Sequence, residues 1–114
     1  MQKISSHVMN IEFADPALEE LFTEGKTMDS QYKKLQPQII KQYIKVVNYL
    51  RAANRIEDLY KFNSLNYEKK GGDLKDIEAV WINKQYRLLF QSSIGESLII
   101  TEVLLLEISK HYGD

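Results

Sequence analysis

Cysteine is absent from this 114-residue chain, which excludes disulfides, thiolate nucleophiles and cysteine-held metals. Histidine is scarce: His7 and His111 stand far apart and show no paired ligand spacing, so neither a metal nor a cofactor is expected. No long hydrophobic run exists. The longest, Leu98 to Ile108, is interrupted by Thr101, Glu102 and Glu107, too short and too charged to span a membrane. Met1 to Phe13 lacks the basic-then-apolar pattern of a secretory signal, and a cytoplasmic protein is expected. The P-loop, the dinucleotide fingerprint, His-Glu-x-x-His and the nucleophile elbow are all missing.

What is present suits one globular domain spanning residues 1–114. Apolar residues make up 44% and charged residues 27%, which supports a core and argues against disorder. The net charge of −1 is unevenly spread. Residues 1–25 carry one lysine against five acids, and residues 26–61 carry eight cations against three acids. A basic middle could face an acidic partner or a nucleic acid, but on charge alone a solvated helix face is the favoured reading.

Alternation from Val8 to Phe13 predicts a first strand. Asp15-Pro16 then predicts a helix start, with Asp15 as N-cap, Glu19 and Glu20 near the positive end of the dipole, and Gly25 as the stop. From about Pro37 to Phe62, Ile39, Tyr43, Val46, Leu50, Ala53, Ile56 and Tyr60 recur at helical spacing. That pattern predicts one long helix, hairpinned against the first. Strands are expected at Leu65–Glu68, Ala79–Ile82 and Tyr86–Gln91, with turns at Gly71-Gly72-Asp73, at Asn83-Lys84 and across Ser92–Ser97. Leu98–Ile108 reads as a central strand covered on both faces. The fold class is α+β: an N-terminal strand, a two-helix hairpin, then a twisted antiparallel sheet.

Two residues stand out chemically. Arg87 lies mid-strand, on the face opposite Tyr86, Leu88 and Phe90. It either snorkels or pairs with a carboxylate, or its planar fork is aimed at a phosphate. His111 is either an exposed terminal histidine or a proton-transfer group near neutral pH.

The residues Ile56-Glu57-Asp58-Leu59-Tyr60, Gly72-Asp73-Leu74-Lys75 and Ile82-Asn83-Lys84-Gln85-Tyr86-Arg87-Leu88-Leu89-Phe90, followed by His111, resemble the HigB branch of the RelE-like toxins. The resemblance runs from about residue 56 to residue 111. It implies a type II toxin that cuts mRNA on the ribosome without a metal. Arg87 would stabilise phosphate charge and His111 would move a proton. Lys84, Tyr86, Trp81 and Tyr112 are the accompanying RNA-contact candidates; stacking by Tyr112 is inferred from its aromatic character alone. Three positions depart from the branch pattern. Trp81 stands where the branch carries an arginine, Lys70-Gly71-Gly72 displaces a lysine by one place, and Ser109-Lys110-His111 replaces Asp-Tyr-His.

The implied partners are a helix-turn-helix antitoxin of HigA type, the ribosome and its mRNA, and operator DNA reached only through the antitoxin; no membrane is implied. Two alternatives stay open. One is a non-enzymatic toxin resembling the ParE branch that poisons gyrase. The other is a silent module that only binds its antitoxin.

Overall fold

Phe13, Asp15 and Pro16 show how directly local chemistry sets this architecture. The computed structural model describes residues 9–71 and 76–110. Strand β1 (Asn10–Phe13) ends where Asp15 caps helix α1 (Pro16–Glu24), its carboxylate accepting from the Ala17 N–H at 2.9 Å. Gly25 ends α1 with φ +77°, a conformation that costs glycine nothing, and its N–H closes on the Leu21 carbonyl. Both helix ends match the sequence expectation.

The expected long second helix is instead two. Helix α2 (Pro37–Ala52) stops, and Ala53 to Arg55 run extended before helix α3 (Ile56–Lys61). The break is held by bonds that a continuous helix would forfeit. Asp58 Oδ2 accepts from the Asn54 and Arg55 N–H groups, and the Asn54 carbonyl accepts from the Ile100 N–H at 2.8 Å. The apolar stripe therefore loses phase: Ile39 through Ala53 are buried, but Tyr60 is 59% exposed and Leu59 is buried instead.

A short 3-10 turn (Asn63–Leu65) follows, where a strand was expected, and pairing begins only at β2 (Glu68–Lys69). Strands β3 (Glu78–Trp81), β4 (Tyr86–Ile94) and β5 (Ile100–Lys110) complete a five-stranded sheet in the order β1-β5-β4-β3-β2. Strands β2 to β5 pair antiparallel with their neighbours, and β1 joins β5 in parallel. The Gly71-Gly72-Asp73 turn lies partly outside the described residues.

Helices α1 and α2 supply one side of the core and one sheet face supplies the other. Leu18, Leu21, Tyr43, Val47 and Leu50 pack with Val80, Leu88, Phe90, Val103 and Leu105. The Tyr43 hydroxyl donates to the Leu18 carbonyl at 2.7 Å, tying α2 to α1; burial pushes its pKa above the ordinary tyrosine value. Strand β5 lies inside the sheet, between β1 and β4, rather than at its centre, and only one of its faces is fully buried. Ile100, Val103, Leu105 and Ile108 point into the core, whereas Leu104 and Leu106 remain half-buried. Irregular register between Leu89 and Phe90, and again between Ser93 and Ile94, gives β5 two extra residues, so its apolar run does not alternate simply.

Candidate functional site on the sheet and its edge

The β3–β4 turn builds the first half of the site. Asn83 Oδ1 accepts from the N–H groups of Gln85 and Tyr86, both at 2.8 Å, and the Ile82 N–H reaches the Tyr86 carbonyl. The self-bonding Asn83 side chain makes the turn rigid. Arg87 then folds back beneath it. Its Nη1 donates to the carbonyls of Asn83 at 2.9 Å, Lys84 at 3.1 Å and Tyr86 at 3.3 Å. The side-chain hydrogen bonds that Arg87 makes to described residues all leave from that one nitrogen, which anchors this end of the guanidinium to the turn.

Trp81 pairs directly with Arg87 across the strands, and its ring lies 4.2 Å from the guanidinium carbon. Arg87 is 8% exposed as a result. Loss of hydration lowers its pKa, and the nearby Glu68 carboxylate opposes that shift. Trp81 thus spends a ring face on the arginine.

The pairing register gives this sheet face an acidic character. Ala79 and Leu89 share it with Arg87, and their partners are Glu68 and Glu107. Further along, Glu102 pairs with Ser93, and Glu12 pairs with Leu104. Four carboxylates therefore share the face that carries Arg87.

The named candidates divide between two faces. Arg87 and Trp81 meet on the acidic face. Tyr86 points the other way, packs against the core and lines a cleft with Tyr32 and Lys34. Lys84 is exposed at the turn, and its carbonyl helps hold Arg87. His111 and Tyr112 lie outside the described residues; β5 runs to Lys110, opposite Tyr86, one residue before His111. Among the described residues no group of three acidic or histidine side chains is placed to hold a metal, and no helix is long and apolar enough to cross a membrane.

Sequence reasoning missed a second polar centre. Glu78 is 5% exposed on the core side of β3. Its carboxylate accepts from the Tyr67 hydroxyl at 2.7 Å, the Ser92 N–H at 2.8 Å and the Ser92 hydroxyl. Burial, then the bond to Glu78, raises the Tyr67 pKa well above its ordinary value. The available signal was phase: Glu78 alternates with Val80 and Ile82, both buried, so its side chain had to enter the core.

Comparison with known proteins fits this architecture. In overall shape the chain is similar to the YoeB/ParE toxin from Agrobacterium tumefaciens, with a TM-score of 0.52 at 12% identity, covering 91% of this chain and 100% of that one. It is also similar to the YoeB dimer from Staphylococcus aureus, with a TM-score of 0.49 at 15% identity over 91% of this chain and 98% of that one. At such identities these likenesses concern the fold alone. No curated protein matches the chain. The family model described as the RelE-like toxin of the type II toxin-antitoxin system HigB matches residues 11–104, and on that match the chain belongs to the HigB-like toxin family.

Proposed function

We propose that this type II toxin stops translation by cutting mRNA on the ribosome, without a metal, and that a cognate antitoxin, of helix-turn-helix HigA type, silences it. The observation that carries the reading is Arg87, an arginine at the branch's strand position whose guanidinium is anchored by three backbone carbonyls. Fixed donors stabilise developing charge without reorganising at the moment of reaction.

In this reaction the RNA 2′-oxygen attacks the adjacent phosphorus, and the bond to the 5′-oxygen breaks. The products are a 2′,3′-cyclic phosphate and a 5′-hydroxyl. One proton leaves the 2′-hydroxyl and one reaches the departing oxygen. Arg87 holds charge on the phosphoryl oxygens; His111, which follows Lys110, is the proposed proton carrier. Operator DNA is reached only through the antitoxin complex, and the cytoplasm is the compartment of such a reaction.

A second reading has its own observation. Glu12, Glu68, Glu102 and Glu107 share the Arg87 face, and Arg87 is nearly enclosed. Repulsion of phosphate by such a face favours a toxin that binds a protein, such as gyrase, or a silent antitoxin-binding module.

The deciding experiment is mRNA integrity in a reconstituted translation reaction, with and without ribosomes. Cleavage only on translating ribosomes is expected, lost in Arg87→Ala and His111→Ala proteins whose circular dichroism matches the parent. Intact mRNA beside the folded parent protein removes the nuclease reading and favours the protein-binding one.

A further inference from the structure

We propose that the cleft between the α1–α2 connection and the paired ends of β4 and β5 is a subsite for one nucleotide of single-stranded RNA. Its base would lie against Tyr86, and its phosphate on Lys34. The assignment rests on the RNA reading above and gives that reading a second point of contact.

The cleft has a volume of about 250 Å³, room for one base and its sugar. Tyr86, Tyr32 and Leu35 supply aromatic and aliphatic wall; Gln31, Lys34 and Lys110 supply an amide and two ammonium groups. A base needs a ring to stack on and a hydrogen-bonding edge, and its phosphate needs a cation. All three kinds of group line this one cavity.

The walls are set before a ligand arrives. Asp29 organises the connection: its carboxylate accepts from the Gln31 N–H at 2.8 Å, and its carbonyl accepts from the N–H groups of Tyr32 and Lys33. Tyr32 is 3% exposed, and its hydroxyl accepts from the Ile108 N–H, fastening the connection to β5. Strand register places Tyr86 opposite Lys110. Lys110 is the last described residue of β5, and the proposed proton carrier follows it in the sequence.

Charge separates this cleft from the rest of the sheet. The Arg87 face carries four glutamates, whereas the described residues that line the cleft include two lysines and no carboxylate. A phosphate is repelled from the first surface and meets a cation, Lys34, at the second.

The test uses a 2′-O-methylated RNA pentanucleotide, which cannot be cleaved through its 2′-oxygen. Binding to the full chain is titrated at several salt concentrations. Lys34→Gln is expected to weaken binding ~10-fold at low salt and to reduce the slope of log K against log salt by about 0.7, the share of one phosphate contact on a single strand. Tyr86→Leu is expected to weaken binding ~10-fold with the slope unchanged, because it removes stacking and no charge. Lys45→Gln, an exposed α2 control with the same charge change, is expected to bind as the parent does.

No binding by the parent protein overturns the subsite. Equal losses in Lys34→Gln and Lys45→Gln also overturn it, because they mean diffuse attraction. Equal displacement of the RNA by a pentaglutamate peptide assigns the cleft to an acidic protein partner instead. Cleavage is read separately on the ribosome. Cleavage without pentanucleotide binding sinks the subsite alone; binding without cleavage sinks the nuclease reading and leaves the subsite standing.

Discussion

The two faces of the sheet come from the same strands and obey opposite rules. On the covered face, Leu88, Phe90, Val103 and Leu105 have essentially no contact with solvent, and the carboxylate there, Glu78, is saturated by Tyr67 and Ser92. On the other face, Leu89, Leu104 and Leu106 stay half-buried, and Arg87 is satisfied by the carbonyls of its own turn. Polar groups on the covered face need partners from distant strands, whereas Arg87 finds its partners within four residues. The difference teaches where sensitivity should lie: long-range on one face, local on the other.

The largest contrast is expected in the apolar residues. Phe90→Ala should cost about 3–5 kcal/mol in urea unfolding, through lost burial plus a cavity. Leu104→Ala, on the open face, should cost under about 1 kcal/mol. Similar costs would mean that the open face is also core.

Glu78→Ala should come next, at roughly 2–3 kcal/mol, because it strands the Tyr67 hydroxyl and the Ser92 N–H in the interior. Glu78→Gln keeps one acceptor oxygen and should recover part of that loss. A neutral Glu78→Ala would show that water reaches the cluster.

Asp58→Ala tests the helix break, at about 1 kcal/mol near neutral pH. Bonds from the Arg55 and then the Asn54 N–H hold the Asp58 pKa below its ordinary value. A depressed folded pKa stabilises above the unfolded carboxylate pKa of about 3.9 and is lost as pH falls through the lower folded value. The gap between parent and variant should therefore be flat above about pH 5 and narrow in acid. A constant gap down to pH 2 would refute the capping role.

The smallest effect is expected at Trp81. Trp81→Leu removes the ring from Arg87 at a cost of about 1 kcal/mol, read by circular dichroism since no other tryptophan is present. It should also open Arg87 to solvent. If mRNA cleavage rises, Trp81 limits access; if it falls, the ring positions the guanidinium.

Legibility in the sequence followed the range of the interaction. Asp15, Pro16 and Gly25 marked the limits of α1 because caps act within a few residues. Alternation separated Tyr86 from Arg87, as the structure confirms. Grouping Tyr86 with Trp81 and Arg87 in one site overlooked that alternation. The α2–α3 break was hidden because the apolar spacing runs on across it: Asp58, its local cap, reads as part of one long helix, and the bond from Ile100 to Asn54 spans 46 residues. Gln31, Tyr32 and Lys34 were also overlooked: an irregular connection has no periodicity, and Tyr32 owes its burial to β5.

By itself the sequence determined an α+β domain, the caps of α1, the strand carrying Arg87 and membership of a toxin family, because each rests on local chemistry or a contiguous motif. Only the tertiary structure decided that Arg87 lies beneath Trp81 on an acidic face, that Glu78 is buried, and that Tyr86 joins Lys34 in a cleft. Those facts depend on strand register and on which face the helices cover, and register is fixed by contacts between residues far apart in the chain.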